Sequence, residues 1–282
     1  MFAESPPTFL LDESPDREHF AEIRALSETH NLPVIQSLRE LPATAATLLV
    51  RTQERLELRT PSIPHTNPLF VDLAAPFHAD AASRSINQPL ARAVGKQNRP
   101  APHSMPGLVQ GSTRPSEPAS QVQQPYIIDC TAGFAVDSAL LLSLGFSILA
   151  IERNPILVAL LNDGVRRALL DPLASPAIAS RFRILHADAR NILPTLSPPA
   201  AVAYIDPMFP PKRKSSALPP RRAQVLRQLV GDDLDSAPLI AVARSLVPRV
   251  LVKQPHEAPP LFPPPTATIT TKLLRYDICN HA

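Results

Sequence analysis

The carboxyl-terminal half of the chain alternates short apolar runs with longer segments in which apolar residues recur at a helical period. The short runs predict strands at 126–129, 147–151, 182–185, 202–205 and 249–252. The longer segments predict helices at 137–144, 154–170, 218–230 and 237–246, the second with Asn154 as N-cap and Pro155 in its first turn. This alternation predicts an α/β domain with a mostly parallel sheet covered on both faces. Two last strands, 267–271 and 274–278, predict a hairpin that forms an antiparallel edge.

The first 95 residues have a more mixed pattern, which predicts a small α+β module. Phe20, Ile23 and Leu26 would share one face of a helix at 17–30. Short strands are predicted at 33–35, 47–51, 56–58 and 69–73. The segment 96–124 is rich in Pro, Ser and Gln and has no apolar period, which is typical of a linker or surface insertion. The predicted domains are therefore a module at 1–95, a linker at 96–124 and the main domain at 125–282.

Composition changes this picture mainly through glycine. The chain has 7 glycines and 35 prolines, where average usage would give roughly 20 and roughly 14. Scarce glycine matters because loops that cradle a phosphate or a sulfonium ligand usually need it. The net charge of +3 permits an acidic partner but does not demonstrate one.

The cysteines and the apolar runs favour a soluble protein of a reducing compartment, and we expect a cytoplasmic one without a membrane partner. Cys130 and Cys279 lie far apart and match no metal-ligand spacing, so no metal is expected. Cys130 is interpreted as a small buried residue. No run of 18 apolar residues occurs, and the amino terminus carries acidic residues where a signal peptide would be basic.

The sequence Asp206-Pro207-Met208-Phe209 directly follows the predicted strand at 202–205. Asp206 and the Pro207 carbonyl can accept both N–H bonds of an exocyclic amine, while Phe209 lies against its ring. Methyltransferases that act on the amino groups of bases carry a sequence of this kind. An ordinary strand-to-loop turn is the alternative, and Asp-Pro alone would favour it. The whole tetrapeptide, together with the acids described next, favours an amine-binding site.

Acidic residues also follow the first three predicted strands of the main domain. Asp129 ends the first strand, before a turn in which Gly133 lets backbone approach a ligand. Glu152 ends the second strand, about 20 residues after Gly133, where an acid accepts ribose hydroxyls. Asp188 follows the third strand and could accept from an adenine amino group. Each acid alone is more often a loop residue or a helix cap, but together they predict an adenosine site.

Two cofactor classes fit an adenosine site. A nicotinamide dinucleotide would satisfy Glu152 equally well, but the turn after the first strand lacks G-x-G-x-x-G and has a single glycine, Gly133. S-adenosylmethionine has no pyrophosphate and suits this turn better. We therefore expect S-adenosylmethionine.

Several motifs, in this order, resemble those of the bacterial 16S rRNA guanine-N2 methyltransferase J family. They are Asp129-x-Thr-Ala-Gly133, Glu152-Arg-Asn-Pro155, Tyr204-Ile-Asp-Pro-Met-Phe-Pro210, Lys212-x-Lys-Ser215 and Val252-Lys-x-Pro255. The resemblance extends over most of 55–95 and 126–280. One difference is the first turn, which is Gly-Leu-Gly-Arg-Asp in the family and Gly133-Phe-Ala-Val-Asp137 here. A basic, glycine-rich segment of the family is also replaced by 79–89.

The resemblance implies a class I, Rossmann-like enzyme that uses S-adenosylmethionine to methylate N2 of a guanine in 16S rRNA. It places the cofactor contacts at Val136, Asp137, Glu152, Arg153, Asp188, Ala189 and Asp206, in addition to the turn residues Asp129 and Gly133. Catalysis would rest on Asp206, Pro207 and Phe209. The partner would be 16S rRNA or the small ribosomal subunit.

A cluster of cations follows the tetrapeptide. Its members are Lys212, Arg213, Lys214, Arg221 and Arg222. A solvated basic surface is the ordinary interpretation, but beside a base pocket these cations favour RNA phosphate contacts. Lys253 could add to the same face, although a cation at a strand end also has an ordinary structural explanation. A degenerate homologue that binds RNA or protein without methylating remains the alternative function.

Overall fold

The computed structural model describes residues 8–13, 20–42, 45, 47–61, 67–98, 126–197, 200–207, 221–230, 235–259 and 264–280. Most of the predicted linker, as well as Phe209 and the cations at 212–214, lies outside these ranges. No helix within them is long and apolar enough to cross a membrane.

The amino-terminal part contains a four-stranded sheet in the order β2-β1-β3-β4. Its strands are β1 (Thr8–Asp12), β2 (Val34–Ile35), β3 (Thr47–Arg51) and β4 (Leu56–Arg59), and helix α1 (Phe20–His30) connects the first two. β1 pairs in parallel with β2 and β3, whereas β4 is antiparallel to β3. The sequence pattern missed β1.

The strand predicted at 69–73 is wrong. Only Leu69 pairs, through an isolated bridge to Leu58. The chain then turns away because the Asp72 carboxylate accepts hydrogen bonds from the backbone N–H groups of Ala74 (3.1 Å) and Ala75 (3.0 Å). This turn leads into the short helix α2 (Ala75–His78), and a second short helix, α3 (Pro89–Val94), follows.

The main domain contains a seven-stranded sheet in the order β10-β11-β9-β8-β5-β6-β7. Its strands are β5 (Ile127–Asp129), β6 (Ile148–Glu152), β7 (Phe182–His186), β8 (Val202–Ile205), β9 (Arg249–Pro255), β10 (Ala267–Thr270) and β11 (Leu274–Asn280). The five strands from β9 to β7 are parallel, and β11 and β10 form the antiparallel edge. The predicted α/β class, with its antiparallel carboxyl-terminal edge, is confirmed.

The helices of this domain are α4 (Val136–Ser143), α5 (Pro155–Ala168), α6 (Ser175–Arg181), α7 (Ala189–Ile192), α8 (Arg221–Val230) and α9 (Ser236–Leu246). Asn154 caps α5 as predicted, since its Oδ1 accepts from the backbone N–H groups of Ile156 (2.9 Å) and Leu157 (3.2 Å). The short helices α6 and α7 were not predicted, because one or two turns are too brief to show a period.

The two sheets share one apolar core. Leu49 and Leu58 of the first sheet belong to the same buried cluster as Leu160 on α5 and Ile127 on β5. Gly164 lets α5 approach the amino-terminal part, because a Cβ there would lie 2.5 Å from Val71 Cγ1. The two parts therefore pack through a continuous core, and the domain boundaries at 95 and 125 stay a prediction.

Candidate active site

Four carboxylates lie along one edge of the main sheet. Asp206 follows β8, Asp129 ends β5, Glu152 ends β6 and Asp188 follows β7. These strands are parallel neighbours in the order β8-β5-β6-β7, so their carboxyl ends meet at the same edge. Strand order reverses between β5 and β8, which is where ligands bind in sheets of this kind. The acids predicted from sequence are thus brought to one edge.

The turn after β5 is organised by Asp129. Its Oδ1 accepts from the Thr131 backbone N–H (3.1 Å), and its Oδ2 accepts from Ser138 Oγ (2.5 Å). Burial raises the pKa of Asp129 to about 7, although both hydrogen bonds favour the ionised form. The carboxylate is buried, so Asp129 shapes the turn from beneath.

Two residues of this turn have left-handed backbone conformations. Gly133 has φ +55°, which glycine adopts freely. Ala135 has φ 52°, which is strained for a residue with a Cβ, and its side chain is buried. The sequence of this turn therefore places an alanine where the local geometry favours glycine. Val136, the first residue of α4, is 51% exposed beside the turn.

Glu152 ties the end of β6 to this turn. Its Oε2 accepts from the Gly133 backbone N–H (2.8 Å), and its Oε1 accepts from the Asn154 backbone N–H (2.8 Å). Burial raises the pKa of Glu152 above its usual value, although hydrogen bonds from the backbone N–H groups of Asn154, Gly133 and Arg153 favour the ionised form. Each carboxylate oxygen has two acceptor positions, so Glu152, although buried, keeps acceptor capacity for ribose hydroxyls.

Asp188 is a helix cap as well as a candidate ligand. Its Oδ1 accepts from the Arg190 backbone N–H (2.9 Å), and the Arg190 guanidinium contacts both carboxylate oxygens. The hydrogen bond from Arg190 lowers the pKa of Asp188. Arg190 also contacts Asp235, which pairs with Arg153 (2.7 Å). This ion-pair network holds the segments that contain Arg153 and Asp188, and Ala189, the next residue, is buried.

Asp206 lies between a backbone anchor and a cation. Its own N–H donates to Thr131 Oγ1 (2.8 Å), and its Oδ2 accepts from Lys253 Nζ (2.9 Å). Burial raises the pKa of Asp206 to about 6; Lys253 opposes this shift, and Asp137 adds to it. The side chain is still 39% exposed, so a ligand can reach it.

Asp137 accepts from two groups at a single oxygen. Lys253 Nζ (2.7 Å) and the Tyr204 hydroxyl (2.5 Å) both donate to its Oδ2. The expectation that Lys253 adds to an RNA-facing surface is therefore not met, because its ammonium group turns inward to two carboxylates. Sequence reasoning also missed Thr131 and Arg190. Only the placement of Lys253 on the strand beside β8 could have indicated its role.

The remaining predicted residues are only partly described. Pro207 is buried directly after Asp206. Arg221 and Arg222 begin α8, but their side chains lie outside the description, as do Phe209 and the cations at 212–214. Within the described ranges, no group of three or more His, Cys, Asp or Glu side chains could hold a metal ion.

Comparison with known proteins gives a consistent result. A family model described as "Putative SAM-dependent methyltransferase" matches residues 110–281. The ribosomal RNA small subunit methyltransferase J of Enterobacter sp. (strain 638) is 37% identical over 234 residues, which cover 82% of this chain and 83% of that protein. That of Pectobacterium atrosepticum is 36% identical over 237 residues, covering 83% and 86%. Among solved structures, a SAM-dependent methyltransferase from Neisseria gonorrhoeae superposes with a TM-score of 0.66 at 24% identity, covering 97% of this chain and 95% of that one.

Proposed function

Because the chain belongs to the ribosomal RNA small subunit methyltransferase J family, we propose that it methylates the exocyclic N2 of a guanine in 16S rRNA, with S-adenosylmethionine as the methyl donor. The observation that carries the proposal is the position of Asp206 at the end of β8, where strand order reverses. Lys253 occupies its Oδ2, and no donor of the described residues contacts Oδ1. One oxygen of an accessible carboxylate is thus available for an amine.

The donor set at the sheet edge suits S-adenosylmethionine. Glu152 would accept both ribose hydroxyls, and Asp188 would accept from the adenine amino group. The turn of Asp129 and Gly133 leads to Val136 and Asp137, which would lie along the methionine part. Arg153, Ala189 and Asp206 complete the predicted set. When bound, the cofactor supplies an electrophilic methyl group on a positively charged sulfur, whose charge suits a site rich in carboxylates.

Asp206 and Pro207 would act on the substrate by orientation. Asp206 Oδ1 and the Pro207 carbonyl accept the two N–H bonds of the guanine amine, which directs the nitrogen lone pair at the methyl carbon. As the N–C bond forms and the C–S bond breaks, positive charge moves onto N2, and the Asp206 carboxylate stabilises it. The nitrogen then loses a proton to water. Positioning supplies most of the rate, so no strong base is required.

RNA binding would come from the residues that follow Asp206 in the chain. Phe209 would stack on the base, a contact worth about 1–3 kcal/mol in single-strand binders. The cations at 212–214, with Arg221 and Arg222, would contact phosphates and so position the RNA without reading its sequence.

The test is transfer of labelled methyl to small-subunit rRNA that lacks the modification, followed by nucleoside analysis. We expect N2-methylguanosine. A different labelled nucleoside would refute the substrate assignment. The strained Ala135 favours one other candidate, a homologue that binds RNA without methylating. Absence of product, together with absence of S-adenosylmethionine binding in calorimetry, would support that candidate.

A further inference from the structure

We propose that Lys253 is a positioning residue for methyl transfer, which fixes the orientation of the Asp206 carboxylate and presents its Oδ1 to the substrate amine. This inference rests on the proposed function. Lys253 does not itself contact the reacting atoms, because its ammonium group donates to Asp206 Oδ2 and leaves Oδ1 to the substrate amine.

Strand pairing puts Lys253 beside Asp206. β8 and β9 are parallel, and Ile205 pairs with Val252 in the last described step of their register. Lys253 follows Val252 in β9, and Asp206 follows Ile205 directly after the end of β8. Because side chains at matched positions of adjacent strands point to the same face, the contact between Lys253 and Asp206 follows from the register.

The ammonium group of Lys253 joins two carboxylates. Its Nζ lies 2.7 Å from Asp137 Oδ2 and 2.9 Å from Asp206 Oδ2, and its side chain is 19% exposed. Asp137 is held independently by the Tyr204 hydroxyl, and the Asp206 backbone is held by Thr131. The Asp206 side chain is thus fixed at both ends, and Lys253 supplies the fixed point at the carboxylate.

Charged and titratable groups on five elements are electrostatically coupled to Asp206. They are Lys253 on β9, Asp137 on α4, Asp129 on β5, Tyr204 on β8 and Tyr276 on β11. Burial works against the charge of Lys253, but Asp206 and Asp137 outweigh it and raise the pKa of Lys253 above its usual value. Lys253 is the one cation of this set, so its loss would leave Asp206 facing like charge. Protonated Asp206 could no longer stabilise positive charge on the amine.

The test is the pH dependence of single-turnover methyl transfer by Lys253→Met, measured with saturating rRNA and S-adenosylmethionine. Met keeps an unbranched stem and removes the charge. We expect the midpoint of the acidic limb to rise by about 1–3 pH units, the range for loss of an opposite charge beside a carboxylate. Activity should therefore fall most near pH 6 and recover towards pH 9. Lys253→Arg should keep the wild-type midpoint.

Lys272→Met is the matched control, because it removes the same charge from an exposed residue of the β10–β11 turn. Its midpoint should not change. A wild-type midpoint in Lys253→Met, even with a uniformly lower rate, would overturn the proposal, since a merely structural role predicts that result. If Lys253→Met does not fold, Lys253→Gln replaces it, because its amide can donate to both carboxylates without charge.

Failure of the proposed function gives a different result. In that case wild-type protein makes no N2-methylguanosine at any pH. Direct titration of the Asp206 carboxyl by carbon-detected NMR then tests Lys253 without an activity assay. A pKa for Asp206 that is higher in Lys253→Met than in the wild type supports the electrostatic role, and an equal pKa rejects it.

Discussion

Glu152 Oε2 accepts a hydrogen bond from the Gly133 backbone N–H at 2.8 Å, and this bond joins the end of β6 to the turn after β5. The other oxygen holds Asn154, the cap of α5, at the same distance. Glu152 is therefore both a candidate ribose acceptor and a structural link between the two loops that would surround an adenosine. Any substitution of Glu152 therefore affects both roles, and a variant of equal volume disturbs the structural link least.

Glu152→Gln should weaken S-adenosylmethionine binding by about 1–3 kcal/mol, the range for a hydrogen bond to a charged group. The side-chain volume is kept, but the amide NH₂ places a donor opposite either Gly133 or Asn154. Calorimetric titration measures the change. Glu28→Gln is the control, since Glu28 forms an exposed pair with Arg24. Unchanged affinity in Glu152→Gln would remove Glu152 from the cofactor site.

The strain at Ala135 can be measured against Ala132, which is buried in the same turn without a positive φ. Each Ala→Gly change loses a buried methyl, about 0.8 kcal/mol, and adds freedom to the unfolded chain, about 0.4–1 kcal/mol. Only Ala135→Gly relieves a left-handed conformation, worth about 1–2 kcal/mol. We expect Ala132→Gly to destabilise and Ala135→Gly to be nearly neutral in urea unfolding. Equal destabilisation of the two variants would show that Ala135 is not strained.

The Ala135→Gly variant should also change cofactor binding. Ala135→Gly should tighten S-adenosylmethionine binding, because it restores room for backbone to approach a ligand at this turn. Calorimetric titration of Ala135→Gly and Ala132→Gly separates this effect from a general increase in the flexibility of the turn, which both variants would share. Weaker binding by Ala135→Gly would contradict our interpretation of the turn.

The ion pair between Arg51 on β3 and Asp163 on α5 joins the amino-terminal sheet to the main domain at 2.9 Å, and each side chain is 1% exposed. Asp163→Asn should lower the free energy of unfolding by about 3–5 kcal/mol, because the Arg51 charge stays buried with its carboxylate partner gone. The exposed-pair variant Glu28→Gln should change it by less than about 0.5 kcal/mol. Urea unfolding of both variants at pH 7 is the measurement. A loss as small as that of Glu28→Gln would contradict the predicted link.

The contribution of the Arg51–Asp163 ion pair to stability should also depend on pH. Burial favours protonation of Asp163, but hydrogen bonds from Arg167 and Arg166 outweigh it and lower the pKa of Asp163 below its usual value. The folded state therefore binds the Asp163 proton less readily than the unfolded state. Its stabilisation is present above the ordinary carboxyl pKa of about 4 and is lost as pH falls through the folded value. The stability of wild type and Asp163→Asn should accordingly converge in acid.

Local sequence was sufficient to predict most strands and helices of the main domain, for physical reasons. Runs such as Val202–Ile205 are buried on both faces of the sheet, so their composition alone identifies them as strands. Asn154 and Pro155 identify the start of α5 because capping depends on neighbouring residues. The strand predicted at 69–73 was wrong because the Asp72 side chain, and not the apolar content, decides the path of the chain.

The candidate site shows more clearly what local sequence cannot predict. Acids at strand ends could be found from sequence because parallel strands share an edge. The contact between Lys253 and Asp206 could not, since it spans 47 residues and depends on which strand lies beside β8. The role of Asp188 was also ambiguous from the sequence. Its cap and its ion pair both come from Arg190, two residues later, and neither excludes a ligand.

Asp206→Asn should separate catalysis from RNA affinity. The amide keeps the shape of the side chain but lacks the negative charge that stabilises the amine during transfer, so methyl transfer to rRNA should fall by about 10²-fold or more. One half-buried carboxylate contributes little to phosphate attraction, and RNA affinity should therefore stay within about threefold of the wild type. Labelled-methyl transfer and a filter-binding assay on the same preparations measure the two quantities. Parallel losses of activity and RNA affinity would place Asp206 in RNA binding instead.

The complementary variant replaces Lys212, Arg213 and Lys214 with glutamine and leaves Asp206 intact. RNA affinity should fall, and the slope of log affinity against log salt should decrease in magnitude by about 2, because two to three fewer phosphates lose their counterions on binding. The single-turnover rate at saturating RNA should change much less, since these cations position the RNA and do not contact the reacting nitrogen. A rate lost at saturation with an unchanged salt slope would contradict this division. In that case the cations would belong to the catalytic loop, and the phosphate contacts would have to be sought elsewhere on the chain.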